Sequence, residues 1–381
     1  MAKKILITGG GSGGHLNTAI GVIEYIKKTD PELFANLVYV GGIRGMVGDS
    51  TPSLESRKIP ELGIRFIAIR SGKFHRKLSS SSLQLFGGVL GGFSDAMKVL
   101  GQEKPDVVFS TGGYVTVPLV IAAGLRKIPV VIHEQTVVSG LANRINAKFA
   151  RKVLLTFKSS KTEFPAEKVK VVGNPIRASR FITKLPADLP AEYEEFLTHQ
   201  AKKDRKPFIF IMGGGLGSHK LNMWVAANLN ILAKDYNVLL QTGENKLTDD
   251  FTHLREHVAL LPKELQENVF VTPWFKEEIG FIYHHADLVI CRPGANSVLE
   301  LLALNKRAIF VPIPWSSHGE QQLNAEYFCN NQTGAIVNEA DINTELNEKL
   351  ITDMLAKPTK NNAELVPTDV EPIIVKELLK Y

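Results

Sequence analysis

Residues 3–15 read K-K-I-L-I-T-G-G-G-S-G-G-H. Lys4 to Thr8 form a short, largely apolar run cut off abruptly by glycine, the pattern of a buried parallel strand. Every position from Gly9 to Gly14 except Ser12 is glycine, and His15 closes the turn. Beyond it Ala19, Ile20, Val22, Ile23 and Ile26 recur at helical spacing. The stretch predicts strand, glycine turn and helix. Glycine lets a ligand approach the backbone closely. The helix N-terminus then directs free N–H groups and about half a positive charge at whatever sits there. Such a turn suits an anion, or charge developing in a transition state. His15 at its mouth falls on the ligand side of the sheet and is of a type that exchanges a proton near neutral pH.

Gly9-x-Gly11-x-x-Gly14 also satisfies the dinucleotide fingerprint, which requires an acid at the end of the second strand to hold a ribose. Here that strand, Leu37 to Val40, runs into Gly41-Gly-Ile-Arg44 without a carboxylate. No glycine loop is followed by G-K-[ST]. A nicotinamide cofactor and a P-loop are therefore not expected.

A chain of 381 residues predicts two domains, and 44% hydrophobic residues supply two cores. Cys291 and Cys329, the two cysteines, have no metal or redox spacing, so neither a disulfide framework nor a zinc site is expected. Met1-Ala-Lys-Lys4 leads straight into a strand, with no signal peptide and no apolar run long enough to span a bilayer. These features predict a cytoplasmic protein. The net charge of +6 is uneven: residues 1–150 carry +8 and the remainder −2. The first half thus expects an anionic partner. No aromatic-interleaved basic motif or recognition helix points to nucleic acid. An anionic membrane surface fits.

Strands and helices alternate throughout. Lys73, Arg76 and Lys77 form a basic collar ahead of an apolar segment containing Leu85 and Phe86. It reads either as interfacial membrane binding or as a core helix beside a solvated loop. Residues just past the carboxyl ends of parallel strands line the ligand crevice. Tyr114 in T-G-G-Y (111–114), together with His133, Glu134 and Gln135, is therefore expected beside His15. After a polar, proline-bearing boundary the pattern restarts: Pro207 to Met212 is a strand, and Gly213 to Gly217 a glycine turn. Two Rossmann-like domains facing a cleft are expected, over 1–173 and 178–366, with a terminal helix near 367–381 packing back on the first. Gly294 to Ser297 open a helix able to offer N–H groups to a phosphate, and Glu300 lies one turn in, where a carboxylate can accept two ribose hydroxyls. Gln321, Gln322 and Asn324 supply donors and acceptors for sugar hydroxyls.

Six ordered motifs together carry a resemblance: T-G-G-G-S-G-G-H (8–15), S-T-G-G-Y-V-T-V-P (110–118), P-V-V-I-H-E-Q (129–135), G-N-P-I-R (173–177), A-D-L-V-I-C-R-P-G-A-N-S-V-L-E (286–300) and E-Q-Q-L-N-A (320–325). The chain resembles the inverting GT-B glycosyltransferases, most closely the MurG-type transferases of peptidoglycan synthesis, family 28. The resemblance implies transfer of N-acetylglucosamine from UDP-N-acetylglucosamine to a lipid-pyrophosphate-linked N-acetylmuramyl-peptide, without cofactor or metal, at the cytoplasmic face of the cell membrane. It implies His15 as general base, with Glu134 as a second candidate. It places Gly13, Gly14, Asn17, Tyr114, Gln135 and Thr136 at the acceptor. Arg177, Gly214, Gly215, Arg292, Gly294, Ala295, Asn296, Ser297, Glu300, Gln321, Gln322 and Asn324 fall at the donor. Three departures stand out. His15 is followed by Leu16-Asn-Thr-Ala19 where the family has V-F-P-G, Thr136 replaces asparagine, and Gly215-Leu216 replaces serine and glutamine. They leave two alternatives: a divergent transferase using a UDP-sugar on another lipid-linked or cell-wall glycan, or a non-catalytic nucleotide-sugar-binding protein.

Overall fold

The computed structural model describes residues 3–43, 52–70, 82–215, 217–244, 247–316 and 319–381, with the backbone alone for 82–90. The chain divides into two compact units: residues 1–177 with 367–381, and residues 178–366.

In the first unit seven parallel strands follow one another as β1 (Ile5–Thr8), β2 (Leu37–Gly42), β3 (Arg65–Ile69), β4 (Val107–Ser110), β5 (Val130–Glu134), β6 (Lys152–Leu155) and β7 (Val169–Val171). Their order across the sheet is β3-β2-β1-β4-β5-β6-β7. β1, β4 and β5 are buried along their whole length, which is why they read as continuous apolar runs rather than alternating ones. The helix Gly13–Thr29 turns Leu16, Ala19, Ile20, Ile23 and Ile26 into the core and ends on Lys27 and Lys28, cations that suit the negative end of a helix. The terminal helix Val370–Leu378 adds Val370, Ile374 and Leu378 to that same core, against Ile20 and Ile23. Each such aliphatic side chain taken fully from water contributes roughly 1.5–3 kcal/mol.

The second unit repeats the scheme with β8 (Phe208–Met212), β9 (Asn237–Gln241), β10 (Val269–Thr272), β11 (Leu288–Cys291), β12 (Ala308–Phe310) and β13 (Gly334–Ile336), ordered β10-β9-β8-β11-β12-β13. In both sheets the strand order reverses once, between β1 and β4 and between β8 and β11. Ligands of open α/β sheets bind outside the carboxyl ends at such a switch point. Thr8 pairs with Ser110 and Met212 with Cys291 at those ends. The turns they feed are Gly9–Gly14 and Thr111–Tyr114 in the first unit, and Gly213–Gly217 and Arg292–Gly294 in the second.

Among the described residues no helix is long and apolar enough to cross a membrane. Of the basic and apolar patch read from the sequence, Lys73, Arg76 and Lys77 lie outside the described residues. Leu85 and Phe86 fall in the helix Ser82–Glu103, in the part whose side chains are not described.

Candidate functional site

In the first unit the two switch-point turns interlock. Gly113 has φ +92°, and a Cβ there would run into the carbonyl oxygen of Gly10. Only glycine admits this approach. The consequence falls on His15, which Thr111 grips twice. The Thr111 carbonyl accepts the His15 Nδ1–H at 2.8 Å, and its hydroxyl donates to the His15 carbonyl at 2.8 Å. With the Gln135 amide oriented to satisfy both its ends, its oxygen accepts from His15 Nδ1 at 3.0 Å and from the His15 backbone N–H at 3.2 Å. Its NH2 then donates to Thr18 Oγ1 at 2.6 Å and to the Gly14 carbonyl at 3.2 Å. Nδ1 is thus the protonated nitrogen, and Nε2 keeps its lone pair. Burial drives the imidazole down to about 4 against the raising effect of the Thr111 carbonyl, so the ring is neutral at pH 7. The site presents a partly buried, neutral imidazole of fixed tautomer beside a glycine turn.

Gly13, Gly14, Asn17 and Tyr114 are partly buried, and the Tyr114 ring packs against Gly11. The other expected neighbours hold the site from behind. Gln135 and Thr136, expected at the acceptor, are 3% and 4% exposed. Glu134, expected as a second base, has another task. Its Oε1 accepts the Thr136 backbone N–H at 3.0 Å and lies 2.7 Å from the Thr136 hydroxyl. Its Oε2 accepts from the Gly140 N–H and Asn143 Nδ2, both at 3.1 Å. Fully buried, with three N–H donors and a hydroxyl that it shares with the Val138 carbonyl, the carboxylate ties down the loop after β5. His133 is also sealed in: Nε2–H donates to the Gly173 carbonyl at 2.8 Å, and burial lowers the ring to about 4.

Arg177, expected at the donor, belongs to the first unit, where its guanidinium holds Glu24 through Nε at 3.1 and 3.2 Å and Nη2 at 2.6 Å. A buried acid beside the first glycine turn is not among the residues expected from the sequence. Glu55, in the helix Leu54–Glu61, lies beneath the first glycine turn and accepts from the backbone N–H groups of Gly11 and Gly42. Burial raises its carboxyl despite those bonds. A single glutamate in a short amphipathic helix carries no sequence signal of such a role.

In the second unit the turn after β8 closes through the Gly217 N–H to the Gly214 carbonyl at 2.9 Å, and Gln241 Nε2 donates to that carbonyl at 3.4 Å. Gly215 is partly buried beside it, while Leu216 lies outside the described residues. After β11 the helix Ala295–Ala303 starts at Gly294, whose backbone is extended and which caps nothing with a side chain. A Cβ on Gly294 would meet no atom within 4 Å. Asn296 and Ser297 stand in that first turn. An uncapped helix start with open space above it is a ready place for an anion. Glu300, 6% exposed, faces Arg180 Nε at 3.0 Å and accepts the Tyr283 hydroxyl at 3.1 Å.

Two residues expected at the donor have protein partners. The Arg292 guanidinium is spent on the Val311 carbonyl (2.7 Å), Ser218 Oγ (2.6 Å) and the Glu339 carboxylate. Asn324 is fully buried and donates to the Pro293 carbonyl at 3.2 Å, which fixes the turn before Gly294. On the same helix Gln321 Oε1 accepts the Ile313 N–H at 3.0 Å, and Gln322 donates to Glu326 at 2.9 Å. Both glutamines are partly buried. Neither Arg180 nor Tyr283 was singled out in the sequence, because each is isolated in its segment.

Two Rossmann-like units, each with a glycine turn at its switch point, are the architecture of the GT-B class. The model of the glycosyltransferase family 28 N-terminal domain matches residues 5–155, and that of its C-terminal domain residues 208–367. The chain belongs to glycosyltransferase family 28. It is 35% identical over 352 residues to a UDP-N-acetylglucosamine--N-acetylmuramyl-(pentapeptide) pyrophosphoryl-undecaprenol N-acetylglucosamine transferase of Clostridium perfringens, covering 92% of this chain and 90% of that one. A Clostridium botulinum protein of the same name is 33% identical over 341 residues, covering 89% and 87%. Among solved structures, Acinetobacter baumannii MurG superposes with a TM-score of 0.67 at 24% identity, over 100% of both chains. A UDP-GlcNAc 2-epimerase from Neisseria meningitidis follows with 0.61 at 16% identity, over 99% and 100%. At these identities the two structures speak for the fold.

Proposed function

We propose that this chain transfers N-acetylglucosamine from UDP-N-acetylglucosamine to an N-acetylmuramyl-(pentapeptide) pyrophosphoryl-undecaprenol acceptor, with inversion. The His15–Thr111 pair carries the reading, because it leaves a neutral imidazole whose Nε2 lone pair is free to take a proton. The relatives above that bear this activity in their names support the choice of substrates.

In the proposed step Nε2 takes the proton of the acceptor hydroxyl as its oxygen attacks the anomeric carbon. The bond from that carbon to the diphosphate oxygen breaks, and UDP leaves. The Thr111 carbonyl, already bonded to Nδ1–H, stabilises the imidazolium as it forms. A positioned base of this kind contributes about 10²–10⁴-fold. The uncapped N-terminus of the helix Ala295–Ala303, with Asn296 and Ser297, receives the diphosphate and its growing charge. Glu300 accepts the ribose hydroxyls, and Gln321 and Gln322 serve the sugar. Gly13, Gly14, Asn17 and Tyr114 meet the acceptor. The acceptor's lipid tail makes the membrane surface the workplace, and the excess positive charge of residues 1–150 suits an anionic leaflet.

Calorimetric titration with UDP-N-acetylglucosamine beside UDP-glucose, followed by a transfer assay on the lipid-linked acceptor, tests this. Preference for UDP-N-acetylglucosamine and formation of the disaccharide lipid are expected. Tight binding of a different UDP-sugar alone would overturn the donor, and donor binding without transfer would overturn the acceptor.

A further inference from the structure

Glu300 is not a lone carboxylate waiting for a ligand. It sits on the helix Ala295–Ala303 with its side chain 7% exposed, and Arg180, 12% exposed, holds its Nε 3.0 Å from Oε1. Tyr283 donates its hydroxyl to Oε2 at 3.1 Å. Burial and the neighbouring Glu300 push the Tyr283 phenol well above its usual range, so the hydroxyl keeps its proton and acts as a donor. Oε1 thus has the Arg180 guanidinium as its ion-pair partner, and Oε2 has the Tyr283 hydroxyl.

The partners are themselves fixed. Arg180 comes from the turn Ala178–Phe181 and Tyr283 from the helix Ile279–His285. Gly280 of that helix lies so close to the turn that a Cβ would run into the carbonyl oxygens of Ser179 and Ile182. The Tyr283 ring packs edge-on against Phe210 of β8, with centroids 5.7 Å apart. The guanidinium is thus delivered to Glu300 by backbone packing rather than by a flexible surface arm. A buried carboxylate without such a partner would be costly, and it would repel an approaching diphosphate.

Resting on the assignment of Glu300 to the donor ribose, we propose that Arg180 is a positioning residue for donor recognition. It pins the Glu300 carboxylate, with Tyr283, so that its oxygens receive the vicinal ribose hydroxyls. It also balances the charge of Glu300 when an anionic nucleotide arrives. Selectivity for a ribonucleotide over a nucleotide lacking those hydroxyls then depends on a side chain that never touches the ligand.

The test compares UDP with 2′,3′-dideoxy-UDP by calorimetry. The wild-type chain is expected to bind UDP at least about tenfold more tightly, in line with hydrogen bonds to a charged acceptor. Arg180→Met is expected to weaken UDP about tenfold and to change the dideoxy nucleotide less than about twofold, so that discrimination collapses. In a Glu300→Gln background the same substitution should leave the ratio unchanged. Arg180→Gln keeps the shape and serves if the methionine variant does not fold. A merely structural arginine would weaken both nucleotides alike. A wild-type ratio retained in the folded variant, or equal losses for both ligands, overturns the proposal. If the wild-type chain binds UDP without discriminating, the ribose assignment of Glu300 falls and this inference with it. If it binds no UDP at all, the donor reading itself is wrong.

Discussion

Thr111 holds His15 by two hydrogen bonds of 2.8 Å that run in opposite directions, one donated by the ring to the Thr111 carbonyl and one donated by the Thr111 hydroxyl to the His15 main-chain carbonyl. The first selects the tautomer. The second fixes the helix start from which the ring projects. Ninety-six positions separate the residues, and they meet because β1 and β4 are neighbours at the point where the sheet reverses its order.

Removing the ring should therefore remove the base without disturbing the donor. His15→Ala is expected to lower the transfer rate by about 10²–10⁴-fold, while the affinity for UDP-N-acetylglucosamine stays within about twofold by calorimetry. Transfer at the wild-type rate would mean that another group takes the proton.

The pH dependence follows from burial. His15 is depressed to about 4, so the imidazole stays neutral down to that range and protonates only below it. The acidic limb of kcat/KM attributable to His15 is expected near pH 4, with activity lost as pH falls through it. In the free protein the His15 and His133 imidazole resonances should show no titration between pH 8 and pH 5 by NMR. Titration of either ring near 6.5 would contradict its desolvation. For stability the sign is the same: a depressed histidine contributes stability above the unfolded pKa of about 6.5, lost as pH drops towards about 4. For the fully buried His133 the contribution is on the order of 3 kcal/mol. The loss of stability on replacing His133 by Asn should accordingly shrink as pH falls from 7 to 4.

Glu134 provides a contrast within the same motif. Glu134→Ala strands three N–H donors, of Thr136, Gly140 and Asn143, each costing about 1–3 kcal/mol when left unmade. Urea denaturation should show a loss of at least about 3 kcal/mol. The folded fraction should keep its kcat within about tenfold if the carboxylate serves the loop after β5 alone. A loss of kcat as large as that of His15→Ala, without loss of stability, would restore Glu134 as a catalytic acid or base.

Backbone geometry makes a further prediction at Gly113. Any Cβ there collides with the Gly10 carbonyl, and φ of +92° with ψ of 154° lies in a region that essentially only glycine occupies. Gly113→Ala is expected to cost more than about 2 kcal/mol and to displace His15 along with the turn. A variant as stable and as active as wild type would show that the two turns do not need this approach.

Much of this was legible in one dimension. The apolar runs ending in glycine mark strands whose length and burial depend on neighbouring residues alone, so β1, β4, β8 and β11 and the turns beyond them could be placed directly. His15 stood out because it closes a glycine turn at the carboxyl end of a strand, on the ligand side of the sheet. The order of the six motifs was enough to suggest the family. Which polar group faces which partner was not legible. Arg177 reaches back across 153 positions to Glu24, and Arg292 across 47 to Glu339. Glu134 finds its donors in a loop whose path no periodicity describes. Spacing along the chain determines which face of an element a side chain leaves from, because helices and strands have fixed periods. Only the packing of those elements decides whether a carboxylate or guanidinium leaving that face meets a ligand or another residue, because a buried charge must be matched by whatever the fold brings within about 3 Å of it.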